Sequence, residues 1–266
     1  MTLGLLLTPL AAEADLGTSS FARSLEQEGD YAAARLEWKR LAHNVAPNSP
    51  LREEALFRSA VLAAHLDMPA QALQDFERFG SLFGGSTRIP DALYRMMWLA
   101  DAQQTNGGKP FADRLAQLYP RHPLTAEAAW YGIWQQTART GNVPPSAKGP
   151  KTSTLQKRLA ELGASPTGKS ILAAVLGIIP GAGHLVVGDW RTALMSLLMC
   201  SLMGAAFYSC LRLKAWGLSA FFGFVFLTVY IGSITSAYSS TLRHEHEKIR
   251  TAMAGWADLA PQRPNL

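Results

Sequence analysis

The stretch "GASPTGKSILAAVLGIIPGAG", residues 163–183, can be read in two ways that lead to different folds. Its first eight residues, Gly163 to Ser170, spell G-x-x-x-x-G-K-[ST], the loop that cradles phosphates in nucleotide hydrolases. The remainder is an apolar run broken by Pro180, Gly181 and Gly183, which suits an all-α membrane segment. A phosphate loop works because a buried strand delivers its glycines to a helix N-terminus, where backbone N–H groups and the lysine converge on the anion. Here the preceding residues place Leu155, Leu159 and Leu162 at i, i+4, i+7 against Lys157, Arg158 and Glu161, which predicts an amphipathic helix over 154–165. Pro166 removes an N–H from the loop itself. No apolar strand ending in Asp follows to hold magnesium; "HLVVGD" (184–189) is the nearest candidate. A P-loop NTPase is therefore disfavoured and no nucleotide is expected. Instead Gly163 is expected to stop a helix, Pro166 and Gly168 to form a hinge, Lys169 to sit at headgroup level, and Ser170 to cap the helix that follows.

Downstream, Ile171 to Tyr238 is overwhelmingly apolar. "TALMSLLMCSLMGAAFYSCL" (192–211) and "AWGLSAFFGFVFLTVYIGSITSAY" (215–238) are each long enough to cross roughly 30 Å of hydrocarbon at 1.5 Å per helical residue. Arg212 and Lys214 mark a tight connection, and Trp216 and Tyr238 sit where interfacial anchors belong. Gly204, Ala205 and Ala206 in one span, with Gly217, Gly223 and Gly232 in the other, allow close packing. Segment 170–187, interrupted by proline and glycine, frees backbone groups that hydrocarbon cannot satisfy. It is expected to enter and turn back as a half-helix shielded by the two spans. The expected membrane domain is 166–240, followed by a polar C-terminal tail over 241–266. The 154–165 helix could lie on the bilayer surface.

The net charge of +5 comes from basic residues that flank this region, among them Lys148, Lys151, Arg243 and Lys248. Such placement suits lipid headgroups, and no aromatic-basic interleaving points to nucleic acid. Cys200 and Cys210, ten apart in one span, form neither a metal site nor a redox pair. His244 and His246 lie two apart on different sides of a helix, so "RHEHEK" (243–248) reads as a solvated charge run.

The N-terminal half has another rhythm. "EGDYAAARLEWKRLAHNVAPNSP" (28–50) sets a Gly29-Asp30-Tyr31 turn before a helix with Ala34, Trp38 and Leu41 on one stripe. Ala72, Phe76 and Phe79 repeat the small-large-large stripe 38 residues on, and Ala112 follows 40 residues later. Prolines close the units at "APNSP" (46–50) and "YPRHP" (119–123). Self-similarity at this period implies stacked helical hairpins. Repeats are expected over 21–142, and "GNVPPSAKGPKTS" leads into a linker over 143–153. Residues 1–20 read as a weak signal peptide or N-terminal tail: an apolar core, Leu3 to Leu10, precedes Ala12-Glu13-Ala14, although no basic residue comes before Arg23.

The turn, stripe and terminators of 21–140 resemble the tetratricopeptide repeat family. That resemblance implies a right-handed helical-hairpin solenoid that binds a protein or peptide partner. "IPGAGHLVVGDWRTALMSLL" (179–198) resembles the PGxG element that opens two-span membrane domains at the C-terminus of bacterial repeat proteins. Pro180, Gly181, Gly183 and Gly188 match it, while His184 and Val187 replace the usual Gln and aromatic residue. His184 could cap the turn or handle a proton or ligand. Together these resemblances imply an all-α chain of the bacterial envelope: a TPR-like solenoid followed by a small helical membrane domain. The expected function is a scaffold held at the inner membrane, with no catalytic residues, cofactor or metal. The alternative is a membrane protein whose PGAG element acts in lipid, solute or protein-insertion traffic, with the repeats as docking arm. An export signal would place the repeats in the periplasm. The Lys and Arg count, greater in the flanks than at Arg212 and Lys214, points to the opposite orientation.

Overall fold

The computed structural model describes residues 8–103, 107–163, 166–186 and 188–265. The apolar core proposed for a signal peptide, Leu3 to Leu10, lies mostly outside these residues. Among the described residues there are twelve helical segments and no strand. They are α1 (Thr8–Glu28), α2 (Tyr31–Asn44), α3 (Pro50–His65), α4 (Pro69–Leu82), α5 (Ile89–Gln103), α6 (Lys109–Leu118), α7 (Pro123–Thr140), α8 (Pro150–Leu162), α9 (Pro166–Leu176), α10 (Ala182–Leu185), α11 (Trp190–Arg212) and α12 (Trp216–Ala254). The chain divides into two compact units, one comprising 1–132 with 261–266 and the other 133–260.

In the first unit, punctuation residues set the helix ends. Gly29 takes φ +82°, and the Asp30 side chain accepts from the Ala33 amide at 3.0 Å to cap α2. Ser49 caps α3 just before Pro50, and Asp67 turns the α3–α4 corner at φ +54° ahead of Pro69. Short turns then fold each helix back on its predecessor.

Side chains sort the helices into two layers. Arg23 pairs with Glu54 at 3.0 Å and Arg58 with Glu26 at 2.7 Å, joining α1 to α3. The Phe57 ring of α3 lies under Arg88 and Arg95 of the α5 region, and Trp98 of α5 packs on Tyr131 of α7. In the other layer Asp75 of α4 holds both Arg35 and Lys39 of α2. Between the layers Ala34, Trp38, Leu41, Ala72, Phe76 and Phe79 are all buried. Phe57 meets Phe76 and Phe79 edge to face at 5.7 and 5.5 Å. In α6 the fully buried residue is Leu115; Ala112, three residues earlier, is only half-buried.

The second unit contains two helices long and apolar enough to cross a membrane, α11 and α12. They form a hairpin around Lys214, which takes φ +56°. Ser196 and Ser233 share a hydroxyl hydrogen bond, Gly204 faces Phe226, and Gly223 faces Phe207, so the two helices run antiparallel. Three boundaries differ from the sequence reading. α8 starts at Pro150, inside the expected linker, and ends at Leu162 instead of residue 165, because Gly163 adopts φ +61° there. Its Leu155 and Leu159 are buried by protein, so this stripe does not lie on a bilayer. α12 continues through the expected tail to Ala254, because Ala237, Thr241, Glu245, Ile249 and Met253 recur every four residues as a buried stripe.

Beyond α12, the Arg158 guanidinium grips Asp258 through two bonds of 2.8 and 2.7 Å and holds that carboxyl below the usual carboxylate range.

Truncating Phe76 to alanine is expected to cost the first unit about 3–5 kcal/mol, the usual loss for a buried aromatic. Hydrogen exchange on the full chain checks this: protection should fall in α3 and α4 while the amides of α11 keep theirs.

Candidate functional site

The broken segment between α9 and α11 carries two left-handed glycines, Gly181 and Gly188, within eight residues. α9 lies against α12 with Lys169 beside Glu245, Gly177 beside Ile234 and Ile178 beside Tyr230. These contacts step along α12 by fifteen residues, about 22 Å at helical rise. α10 then comes back toward the level of Ala237, where Gly183 sits. The segment thus descends along α12 and returns toward the end where it began, before α11 sets out.

A turn of this kind must account for its peptide groups. The amides of Gly177, Ile178, Ile179 and Ala182 bond to carbonyls three or four residues earlier, and Pro180 has no N–H to satisfy. The Ile178 carbonyl accepts from the Tyr230 hydroxyl of α12 at 2.7 Å. The surrounding side chains are apolar and face outward: Ile171, Val175, Ile178 and Ile179 are each more than half exposed.

Glycine is needed here for space. A Cβ on Gly183 would lie 2.3 Å from the Ala173 carbonyl oxygen and 2.7 Å from the Ala237 methyl. A Cβ on Gly181, which also takes φ +88°, would lie 2.2 Å from the Ala193 carbonyl oxygen. Gly188 has φ +81° with open space around it, so its requirement is conformational. Val187 lies outside the described residues.

His184 is 2 % exposed, and its backbone closes the turn by donating to Gly181 and accepting from Asp189. The ring does not cap the turn through Nδ1, which is buried without a hydrogen-bond partner among the described residues. The Tyr230 hydroxyl caps the Ile178 carbonyl of this turn. Tyr230 is one of several hydroxyl-bearing residues in 215–238, so the sequence did not single it out for that role. Beside the turn lies an apolar cleft of about 400 Å³ whose walls include Pro180, Leu185, Trp190 and Leu197.

The phosphate-loop lookalike joins two helices. Gly163 ends α8, and Pro166 opens α9, so Gly168 is helical and not a hinge. Ser170 is a buried residue of that helix and not its N-cap, because the proline pre-sets the helical φ four residues earlier. Lys169, expected at headgroup level, gives its ammonium to Glu245 at 3.0 Å, and Glu245 is 4 % exposed. Glu245 was missed in the sequence because "RHEHEK" reads as solvated until α12 is extended through it.

His244 is exposed and His246 half-buried, and among the described residues no cluster of three or more His, Cys, Asp or Glu could hold a metal. Cys200 and Cys210 are both free and buried.

The first unit carries a second feature. Its last described residues, Pro261 to Asn265, have neither helix nor strand and lie on α5. The Tyr94 hydroxyl donates to the Gln262 carbonyl at 2.5 Å, and the Arg95 guanidinium donates to the Asn265 carbonyl.

Alanine at Gly188 is expected to cost about 1–2 kcal/mol, the strain of a left-handed residue with a Cβ. Alanine at Gly181 or Gly183 should cost more than that, since backbone must move. Thermal unfolding of the three variants in detergent checks the order, and equal losses would contradict it.

Lys169→Met should destabilise by about 2 kcal/mol, because it removes the cation beside a buried carboxylate while part of the lysine's own interaction is water-screened. Adding Glu245→Leu should restore most of the loss, a recovery visible in the same melts.

No protein-family model matches this chain, and no curated protein matches it closely enough to be reported as a relative.

Proposed function

We propose that this chain is a non-catalytic scaffold of the bacterial envelope. Tetratricopeptide-like helical repeats bind a protein or peptide partner, and a two-span hairpin with a re-entrant half-helix holds them at the inner membrane. The observation that carries the anchor is exposure. Only 11 % and 6 % of the most apolar stretches of α11 and α12 are buried within the protein. A core helix of the same composition would be mostly covered by neighbours, so lipid is the fitting cover for Leu198, Leu202, Phe221 and Phe224. The broken segment supports the same reading, since irregular backbone at membrane depth needs protein groups such as Tyr230 to satisfy it. For the repeats, support comes from the two side-chain layers, the 38- and 40-residue recurrence, and the ion pairs that tie α1 to α3 and α2 to α4.

A second reading, in which the PGAG turn itself acts in lipid, solute or protein-insertion traffic, is favoured by one observation. His184 keeps an unpartnered ring nitrogen in a buried position.

Affinity capture with the full chain from detergent-solubilised membranes tests the scaffold: a discrete partner should co-purify, joined through a photo-crosslinker at Gln103. Failure to capture any partner would remove the scaffold reading. Loss of the chain's cellular phenotype on Gly181→Val or His184→Ala, with capture intact, would favour the second. Topology reporters at Gly141 and after Asn265 should both report the periplasmic side.

A further inference from the structure

α5 presents two different faces. Ile89, Ala92, Leu93 and Met96 turn toward α4 and α6 and line a recess there. Asp91, Tyr94, Arg95 and Trp98, spaced at i, i+3, i+4, i+7, share another face in the layer of α3 and α7. Residues 261–265 lie on this second face.

The geometry of that contact reads backbone, not side chains. Both acceptors are main-chain carbonyls, those of Gln262 and Asn265. They are three residues apart in "PQRPN", where Pro261 and Pro264 each fix φ near −65°. A chain restricted in this way favours the polyproline II helix, whose three-residue turn puts every third carbonyl on one side. Any extended segment with the same proline spacing can offer the same pair of acceptors, whatever its intervening side chains.

The donors are arranged in advance. The Asp91 carboxylate holds the Arg95 Nε at 3.1–3.2 Å and the Phe57 ring lies 5.9 Å from its guanidinium carbon, which leaves Nη1 for the Asn265 carbonyl. Tyr94 is 3 % exposed, and burial pushes its phenol pKa up, so the hydroxyl stays a donor.

We propose that the α5 face centred on Tyr94 and Arg95 is a docking site for an extended, proline-spaced peptide of a partner protein, and that Pro261–Asn265 occupies it in cis as a built-in competitor. This rests on the scaffold reading and adds its regulation. A tethered occupant acts at an effective concentration on the order of millimolar, so a partner segment must either bind more tightly than the tail or meet a chain whose tail has been withdrawn.

The probe is a fluorescent peptide of residues 258–266, titrated in detergent against the full chain and against a chain ending at Ala260. The shortened chain should bind it at least tenfold more tightly than the full chain, and Tyr94→Phe with Arg95→Ala in the shortened chain should reverse that gain. A second measurement needs no truncation: limited proteolysis should cut within residues 261–265 of the Tyr94→Phe, Arg95→Ala variant about tenfold faster than in the unaltered chain. If both chains bind the peptide equally, or cleavage rates match, the cis-occupied site is overturned. Partner capture by the full chain is read separately, so the scaffold reading can survive that result. Capture that rises on truncation supports both.

Discussion

A peptide carbonyl released from a helix in apolar surroundings must find a donor, and the second unit is organised around meeting that demand. Ile178 loses its helical partner where α9 breaks, and Tyr230 reaches across from α12 to replace it. A hydroxyl can serve there only if α9 and α12 approach closely. Gly177 and Gly183 permit that approach, since a side chain at Gly183 would collide with both Ala173 and Ala237. The hydrogen bond and the glycines are thus one device. Unsatisfied, the carbonyl would cost about 1–3 kcal/mol, a sizeable fraction of a typical domain's stability.

The same contact line continues past the apolar region. Below Ala237 the α12 stripe carries Thr241 and then Glu245, which meets Lys169 of α9. A buried carboxylate is tolerated because a cation lies 3.0 Å away, and the pairing also fixes the register of α9 along α12. The residues that imitate a nucleotide site therefore belong to helix packing. Pro166 starts a helix, and the lysine that would face a phosphate faces a carboxylate of its own chain.

The first unit solves a different problem, keeping short helices in order without one large core. Ala34 and Ala72 let layers approach while Trp38, Phe76 and Phe79 fill the gap, and ion pairs between alternate helices fix which neighbour lies where. Arg95 shows how such a lattice serves recognition. Held by Asp91 through Nε and set over Phe57, it directs Nη1 at a main-chain carbonyl.

Much of this was legible along the chain wherever a letter carries its own backbone or burial meaning. Asp30, Ser49, Pro69 and Gly163 mark helix ends because caps, fixed φ and left-handed conformations are local properties. The apolar lengths of α11 and α12 and the stripe from Ala34 to Leu41 follow from periodicity alone. The sequence by itself thus determined a helical chain, the breaks at Gly29, Pro69, Gly163 and Pro180, and two helices able to cross a membrane. Only the tertiary structure decided that Tyr230, 52 residues from Ile178, caps the broken turn, that Glu245 claims Lys169, and that residues 261–265 lie on α5. The physical reason is that hydrogen bonds and ion pairs depend on separation in space, and side-chain chemistry read in order along a chain does not reveal which distant groups folding brings within 3 Å.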